Sequence, residues 1–294
     1  MLGFMRRSLL ILFFSPLLSF SQEVFNSPFS ILGPRGATVY EDLKTAYRDA
    51  GVCYKLDLRD QLIDTAKLFK KINKLTNLEV FAIGNNNLSV LPEEMSQLST
   101  LTYFSSKGNP IRHFPSKFGD LSNLTYLELH NTNLDSIPKE IGYLGKLKYV
   151  QVQNNTDTLG LSFAIGYLPS LIDLLIYNTH LDSIPNDIGR SKSLKGISFV
   201  QCGLDTLPAS LGNIFTLEQL VLENNKLHEL PLSVYHLKNL KYLSLKGNQF
   251  RTFPDEICFL TNLETLDLRG NMISEYEAAI LKILLPKECK IILK

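Results

Sequence analysis

Residues 121–143 read LSNLTYLELHNTNLDSIPKEIGY, and that layout recurs along most of the 294-residue chain. Equivalent starts fall at Leu75, Leu98, Leu144, Leu168, Ser191, Ile214, Leu237 and Leu260. The step is 23 residues throughout, except for 24 between Leu144 and Leu168. A fixed period of this size marks a solenoid: one unit cannot bury its own apolar face, so units stack and stability becomes a sum over neighbours.

Within the quoted unit, Leu124, Leu127 and Leu129 face inward from a short strand, and Tyr126, Glu128 and His130 alternate with them toward the other side. Counting a degenerate first copy at residues 53–58, the chain holds ten such strands. Three residues after each strand's last apolar position comes a polar site: Gln61, Asn86, Asn109, Thr132, Asn155, Thr179, Cys202, Asn225, Asn248 and Asn271. The chain turns there, and an Asn side chain can both donate to and accept from the backbone groups the turn strands. Pro92, Pro115, Pro138, Pro185, Pro208, Pro231 and Pro254 occupy the next landmark, where a fixed φ suits an extended or short helical return arm. The copy spanning 155–165 departs from this: it carries one extra residue and no Pro, and is expected to bulge the convex arm at Gly160.

The pattern L-x-x-L-x-L-x-x-N-x-L-x-x-L-P-x-x-I-x-x-L resembles the leucine-rich repeat family, in its 23-residue proline-containing class, over roughly residues 50–273. The resemblance implies an α/β solenoid, curved, with a parallel concave sheet of about ten strands and a helical cap at each end. It also implies a general protein-binding scaffold. The expected layout is a signal peptide at 1–21, a linker and capping helix at 22–51, repeats at 52–273 and a C-terminal cap at 274–294.

The signal peptide is read from Arg6 and Arg7, the apolar run at 9–18, and the small Ser19 and Ser21 before Gln22. The run is too short to span a bilayer, so the mature chain is expected to be exported, secreted or periplasmic, without a transmembrane segment. Losing the two arginines leaves 28 basic against 29 acidic residues, a balance that offers nucleic acid no electrostatic footprint. At the N-terminal end, Thr38 and Glu41 read as a capping box opening a helix whose Leu43, Ala46, Tyr47 and Ala50 cover the first turn, with Gly51 as its stop. At the other end, Ser274 and Glu277 read as a second capping box, followed by an apolar side of Ala278, Leu281, Ile283 and Leu284, Pro286 as the stop, and a closing strand at 290–293. A helix followed by a Cys-containing strand resembles the C-terminal cap of secreted bacterial members of the family.

Chemistry is sparse. Cys258 and Cys289 both belong to the C-terminal end and could bond in an exported protein, while Cys53 and Cys202 fall at core and ladder positions. His180 lies one turn before Cys202, but a buried ladder thiol is not activated. The five histidines lack metal-ligand spacing, and no phosphate loop or serine elbow occurs, so no enzyme activity, metal or cofactor is expected. Asp135, Asp182 and Asp205, each followed by Ser or Thr, read as turn chemistry rather than a cation site. Binding is placed on the concave face. One column there runs Val80, Tyr103, Tyr126, Tyr149, Asp173, Gly196, Gln219, Tyr242, Thr265. With strands about 4.8 Å apart, its three consecutive tyrosines form an aromatic strip. The candidate binding residues are Tyr103, Tyr126, Glu128, His130, Tyr149, Gln153, Leu175 and Tyr177, for a protein or peptide partner. A glycan-binding protein, an enzyme on the same scaffold and a structural envelope component are the alternatives; a sheet merely lined with tyrosine is the plain one.

Overall fold

The computed structural model describes residues 28–63, 69–253 and 255–293. The expected signal peptide, the start of the linker and Pro254 lie outside them. Twelve strands among the described residues make one parallel sheet in strict chain order. They are β1 (Val39–Tyr40), β2 (Lys55–Asp57), β3 (Val80–Ala82), β4 (Tyr103–Ser105), β5 (Tyr126–His130), β6 (Tyr149–Gln153), β7 (Asp173–Tyr177), β8 (Gly196–Val200), β9 (Gln219–Val221), β10 (Tyr242–Ser244), β11 (Thr265–Asp267) and β12 (Lys290–Ile292). The ten repeat strands are β2–β11, and the anticipated closing strand is β12; β1 is additional. Its residues were expected to open a helix. Instead Val39 and Tyr40 pair with Lys55 and Leu56, and the helix starts later, at Leu43–Arg48. Its cap is Asp42, whose carboxylate accepts from the Thr45 amide at 2.9 Å, so Thr38 and Glu41 form no capping box. The burying face is as expected: Ala46 is fully buried, and Leu43, Tyr47 and Ala50 pack on the leucine core.

Register follows the repeat. Tyr103 sits opposite Tyr126, and Tyr126 opposite Tyr149, which keeps Phe104, Leu127 and Val150 in line on the inner side. Leu124, Leu127 and Leu129 have no solvent exposure, and the same inner layer runs unbroken from Cys53 to Leu285. The return arms are 3-10 turns. Pro92, Pro138, Pro185, Pro208 and Pro231 each immediately precede one, with φ between −78° and −61°. In the irregular copy Ser162 takes that place and accepts from the Ala164 amide. The extra residue there does not bulge freely. Gly160 pairs with Ser136 and Leu159 with Leu181, and the Gly160 amide donates to the Asp135 carbonyl at 2.9 Å.

The ladder is what closes each turn. Asn109 Oδ1 accepts from the Asn86 and Leu88 amides at 2.8 and 3.1 Å, while its Nδ2 donates to the Ile83 carbonyl. Asn86, Asn155, Asn225, Asn248 and Asn271 do the same for the turns before them. Cys202 fills the site by placing Sγ against the Ile176 and Val200 carbonyls at 3.4 and 3.5 Å. Gln61 is the exception: it is exposed and reaches the Glu41 carbonyl instead. The residue before each ladder site is left-handed, at Asp60, Asn85, Gly108, Asn131, Asn154, Asn178, Gln201, Asn224, Gly247 and Gly270. Asn, Asp and Gly tolerate that conformation, and at these ten positions Gln201 is the longer side chain held in it.

The C-terminal helix is Glu275–Leu284, with Ser274 Oγ accepting from the Glu277 amide at 3.1 Å. Glu277 does not reach back to complete a box. Its Oε1 accepts from the Phe253 amide of the preceding arm at 2.7 Å, tying cap to repeat. Ala278 and Leu281 are buried and Leu284 packs on the core, but Ile283 faces solvent. All four cysteines are free, Cys258 and Cys289 included.

Candidate functional site

Alternation along each strand sends every second side chain away from the leucine core. Those side chains form a second apolar cluster, distinct from the first: Val80, Tyr103, Tyr126, Leu175, Val200 and Val221, with Tyr149, Tyr177 and Tyr242 packed on it. Its members stand on the side opposite the leucine core. They are mostly buried: Tyr103 is 1% exposed, Tyr126 7% and Leu175 1%. Parallel columns on a concave sheet press neighbouring side chains together, so the tyrosines cover one another. The Tyr126 and Tyr149 rings stack at 4.6 Å and 16°, and Tyr103 meets Tyr126 at 6.5 Å and 44°. Burial pushes the Tyr126 hydroxyl up to about 12, with Tyr149 and Asp173 adding to it.

Beside the strip, three of the candidate residues form a chain of contacts. The Tyr103 hydroxyl donates to Glu128 Oε2 at 2.5 Å, and His130 Nε2 lies 3.4 Å from Glu128 Oε1. Burial is the main effect on both ends of this chain. It raises the Tyr103 hydroxyl well above its usual value, with Glu128 reinforcing, and it lowers His130 against the opposing pull of Glu128. That shift favours the neutral imidazole at His130. Gln153 pairs with His130 on one side and Tyr177 on the other. The eight candidates thus occupy adjacent positions on β4–β7, with Tyr103 hydrogen-bonded to Glu128, His130 beside that carboxylate, and Leu175 and Tyr177 continuing the surface.

Some residues of this face stand outside the candidate binding list. Glu223 lies two residues beyond Val221, where the alternation of β9 continues. Its Oε1 accepts from Ser244 Oγ at 2.8 Å, while Oε2 is buried with no partner among the described residues. Burial pushes that carboxyl above the usual range, and the Ser244 bond pulls the other way. Gln151 Oε1 and Gln219 Oε1 are likewise buried and unpaired among the described residues. Such groups cost free energy unless something donates to them, so the face offers acceptors to a ligand. Phe29 and Leu32 also pack on the cluster, from a segment read only as linker.

Burial pushes the Cys202 thiol up to about 12, and its Sγ is held against two carbonyls, so His180 has no thiolate to work with. Among the described residues no helix is long and apolar enough to cross a membrane.

Family models described as leucine rich repeat match residues 123–144 and 215–273. Among curated proteins none matches. Solved structures share the architecture. One is the Drosophila Toll–Spatzle complex in glycosylated form, at 24% identity over 86% of this chain and 35% of that one, with a TM-score of 0.70. An internalin from Listeria monocytogenes aligns over 85% of this chain and 76% of its own, at 15% identity and a TM-score of 0.64. The leucine-rich repeat ectodomain of a plant membrane receptor kinase from Arabidopsis thaliana, in complex with Casparian strip integrity factor 2, is 29% identical over 69% of this chain, with a TM-score of 0.56. The chain spans only 25% of that ectodomain's length.

Proposed function

We propose, from the premise that this chain is a leucine-rich repeat protein, that it is exported and binds a protein or peptide segment on its concave sheet face. The observation that carries the reading is the second apolar cluster. A sheet face that holds Tyr126, Tyr149, Leu175, Val200 and Val221 outside the leucine core has the composition of an interface rather than of a solvated surface. Tyrosine stacks give contact area at low entropic cost, and the unpaired oxygens of Gln151, Gln219 and Glu223 supply acceptors for main-chain or side-chain donors of the partner. That similar solenoids occur in complexes with the proteins named above supports a protein or peptide over a glycan or a catalytic role.

A second reading has a specific observation in its favour. Tyr143, Phe163 and Tyr167 are strongly exposed on neighbouring convex arms, with Phe163 edge-on to Tyr167 at 6.3 Å. One experiment separates the two. The tagged mature chain, beginning at Gln22, is used to capture its partner from the exported fraction, and affinity is then measured for two variants. The Tyr126→Ala, Tyr149→Ala chain should bind at least tenfold more weakly, since truncating a central aromatic anchor costs about 2 kcal/mol or more. Loss of the stack also costs about 0.5–1.5 kcal/mol of stability, which a melt of the free protein will show. Tyr167→Ala should bind as the wild type does. The reverse pattern would place the partner on the convex arms.

A further inference from the structure

The start of the described chain lies on the very face argued above to bind. Pro28–Ile31 is a single helical turn, and from it Phe29 and Leu32 pack against the concave cluster. Two basic side chains of the first repeat hold it there. Lys55 Nζ donates to the Phe29 carbonyl at 2.8 Å, and the Arg59 guanidinium stands 5.6 Å from the Phe29 ring centre. Arg59 is itself braced by Asp57, its Nη2 lying 2.5 Å from Oδ2. The turn leaves the face at Gly33, whose φ is +73° and where an added Cβ would come within 3.0 Å of Lys55 Cε and 3.3 Å of Val80 Cγ2. Only Gly satisfies both the backbone conformation and that close approach.

This is a built seat for a short apolar turn, yet among the described residues the turn is lightly held: two apolar side chains, one hydrogen bond to a lysine and one cation–π contact, with Ser30 and Ile31 in solvent. Each polar contact of this kind is worth about 1 kcal/mol. We propose that residues 28–32 are a built-in occupant of the concave face, and that the partner carries the same chemistry, an aromatic residue followed three positions later by an aliphatic one, which displaces it. The proposal rests on the concave-face reading and adds the partner's chemical class and a competitor in the same chain. Binding by the partner then includes the work of lifting the strap, so weakening the strap strengthens binding of a segment of that class.

The probe is a labelled, end-blocked peptide of sequence PFSILG, titrated by fluorescence anisotropy onto the full chain and onto full-chain Phe29→Ala, Leu32→Ala. The variant, with its seat vacated, should bind the peptide at least tenfold more tightly than the wild type. Adding Arg59→Ala to the variant should remove most of that gain, and Ile31→Ala, a change at an exposed position, should leave the wild-type affinity unaltered. Equal affinity for wild type and variant, or saturable binding to neither, overturns the strap proposal. That failure is separable from failure of the binding reading. The latter is decided by the partner's response to Tyr126→Ala, Tyr149→Ala, which the peptide titration does not touch.

Discussion

Asn225→Ala lowers the unfolding free energy by about 4 kcal/mol, the loss expected when one buried side chain serves five backbone groups at once. Asn225 Oδ1 accepts from the Cys202 and Leu204 amides at 3.0 and 3.2 Å. Its Nδ2 donates to the Phe199, Leu222 and Glu223 carbonyls at 2.8, 3.0 and 3.2 Å. Alanine leaves the two amides buried with nothing to donate to, and a buried unsatisfied group costs about 1–3 kcal/mol. The carbonyls, with spare lone pairs, suffer less. Gln61→Ala at the corresponding position of the first turn should change stability by less than about 0.5 kcal/mol, because Gln61 is exposed and serves no turn of this kind. Denaturant melts of the two variants decide it. If Asn225→Ala falls within about 1 kcal/mol of the wild type, the ladder contributes shape but little stability.

The other large effect belongs to the return arms. Gly119, Gly142, Gly166, Gly189 and Gly212 recur at one position of successive arms. A Cβ at Gly166 would lie 1.7 Å from the Asp187 carbonyl oxygen and 2.5 Å from its carbon, and one at Gly212 would lie 1.9 Å from the Ser233 carbonyl oxygen. These are contacts with backbone of the next turn, which cannot swing aside as a side chain can. Gly166→Ala must therefore push two arms apart, at about 3 kcal/mol or more, since forced overpacking costs about 1–3 kcal/mol even where side chains can yield. At roughly 2–4 °C per kcal/mol for a domain of this size, the melting temperature should drop by about 6–12 °C. Gly142→Ala is the internal control. Its Cβ would press on the Ala164 methyl at 3.2 Å and meet the Ala164 backbone only at ordinary contact distance, which a few tenths of an ångström relieves, so its melt should shift by no more than about 2 °C. Equal shifts for the two would mean that the arms are free to slide.

The strands and the ladder were legible because the sequence states them many times over. A leucine pattern repeated nine times averages out its local exceptions, and an Asn in that register has one use. Single-copy features were not legible in the same way. Thr38 with Glu41 and Asp42 with Thr45 are both sound helix starts, and the choice between them is made by β2, which claims Val39 and Tyr40 as a strand. At the other end Ser274 does cap its helix, but Glu277 is drawn off by the Phe253 amide, a contact 24 residues away. The concave columns show the same limit. Alternation assigns Tyr103 and Tyr126 to the correct face and pairs them correctly. How deeply they are buried depends on curvature and on Phe29 and Leu32, which sit in a stretch whose Pro and Gly content reads only as loop. The glycine column escaped notice because its reason lies in the next turn, not in its own.

The ladder also has a direction. Asn86 closes the turn holding Ile63, Asn109 the turn holding Leu88, and Asn248 the turn holding Leu227; in every case the later asparagine finishes the earlier turn. A chain is made from its N-terminus, so each coil leaves the ribosome incomplete and is sealed only when the next asparagine emerges. The folding front should trail synthesis by one repeat. A nascent chain arrested just short of Asn225 would keep the amides of Cys202 and Leu204 in water, and a protease pulse should cut that last coil and spare those behind it. The two cut ends of such a coil are thus not equivalent. An end that has lost its N-terminal neighbour loses strand bonds such as those from the Thr125 and Tyr126 amides to the Thr102 carbonyl but keeps its asparagine-closed turn. An end that has lost its C-terminal neighbour loses strand bonds and turn closure together and frays first, so the strand after Asn271, paired with β11, covers the end most prone to open.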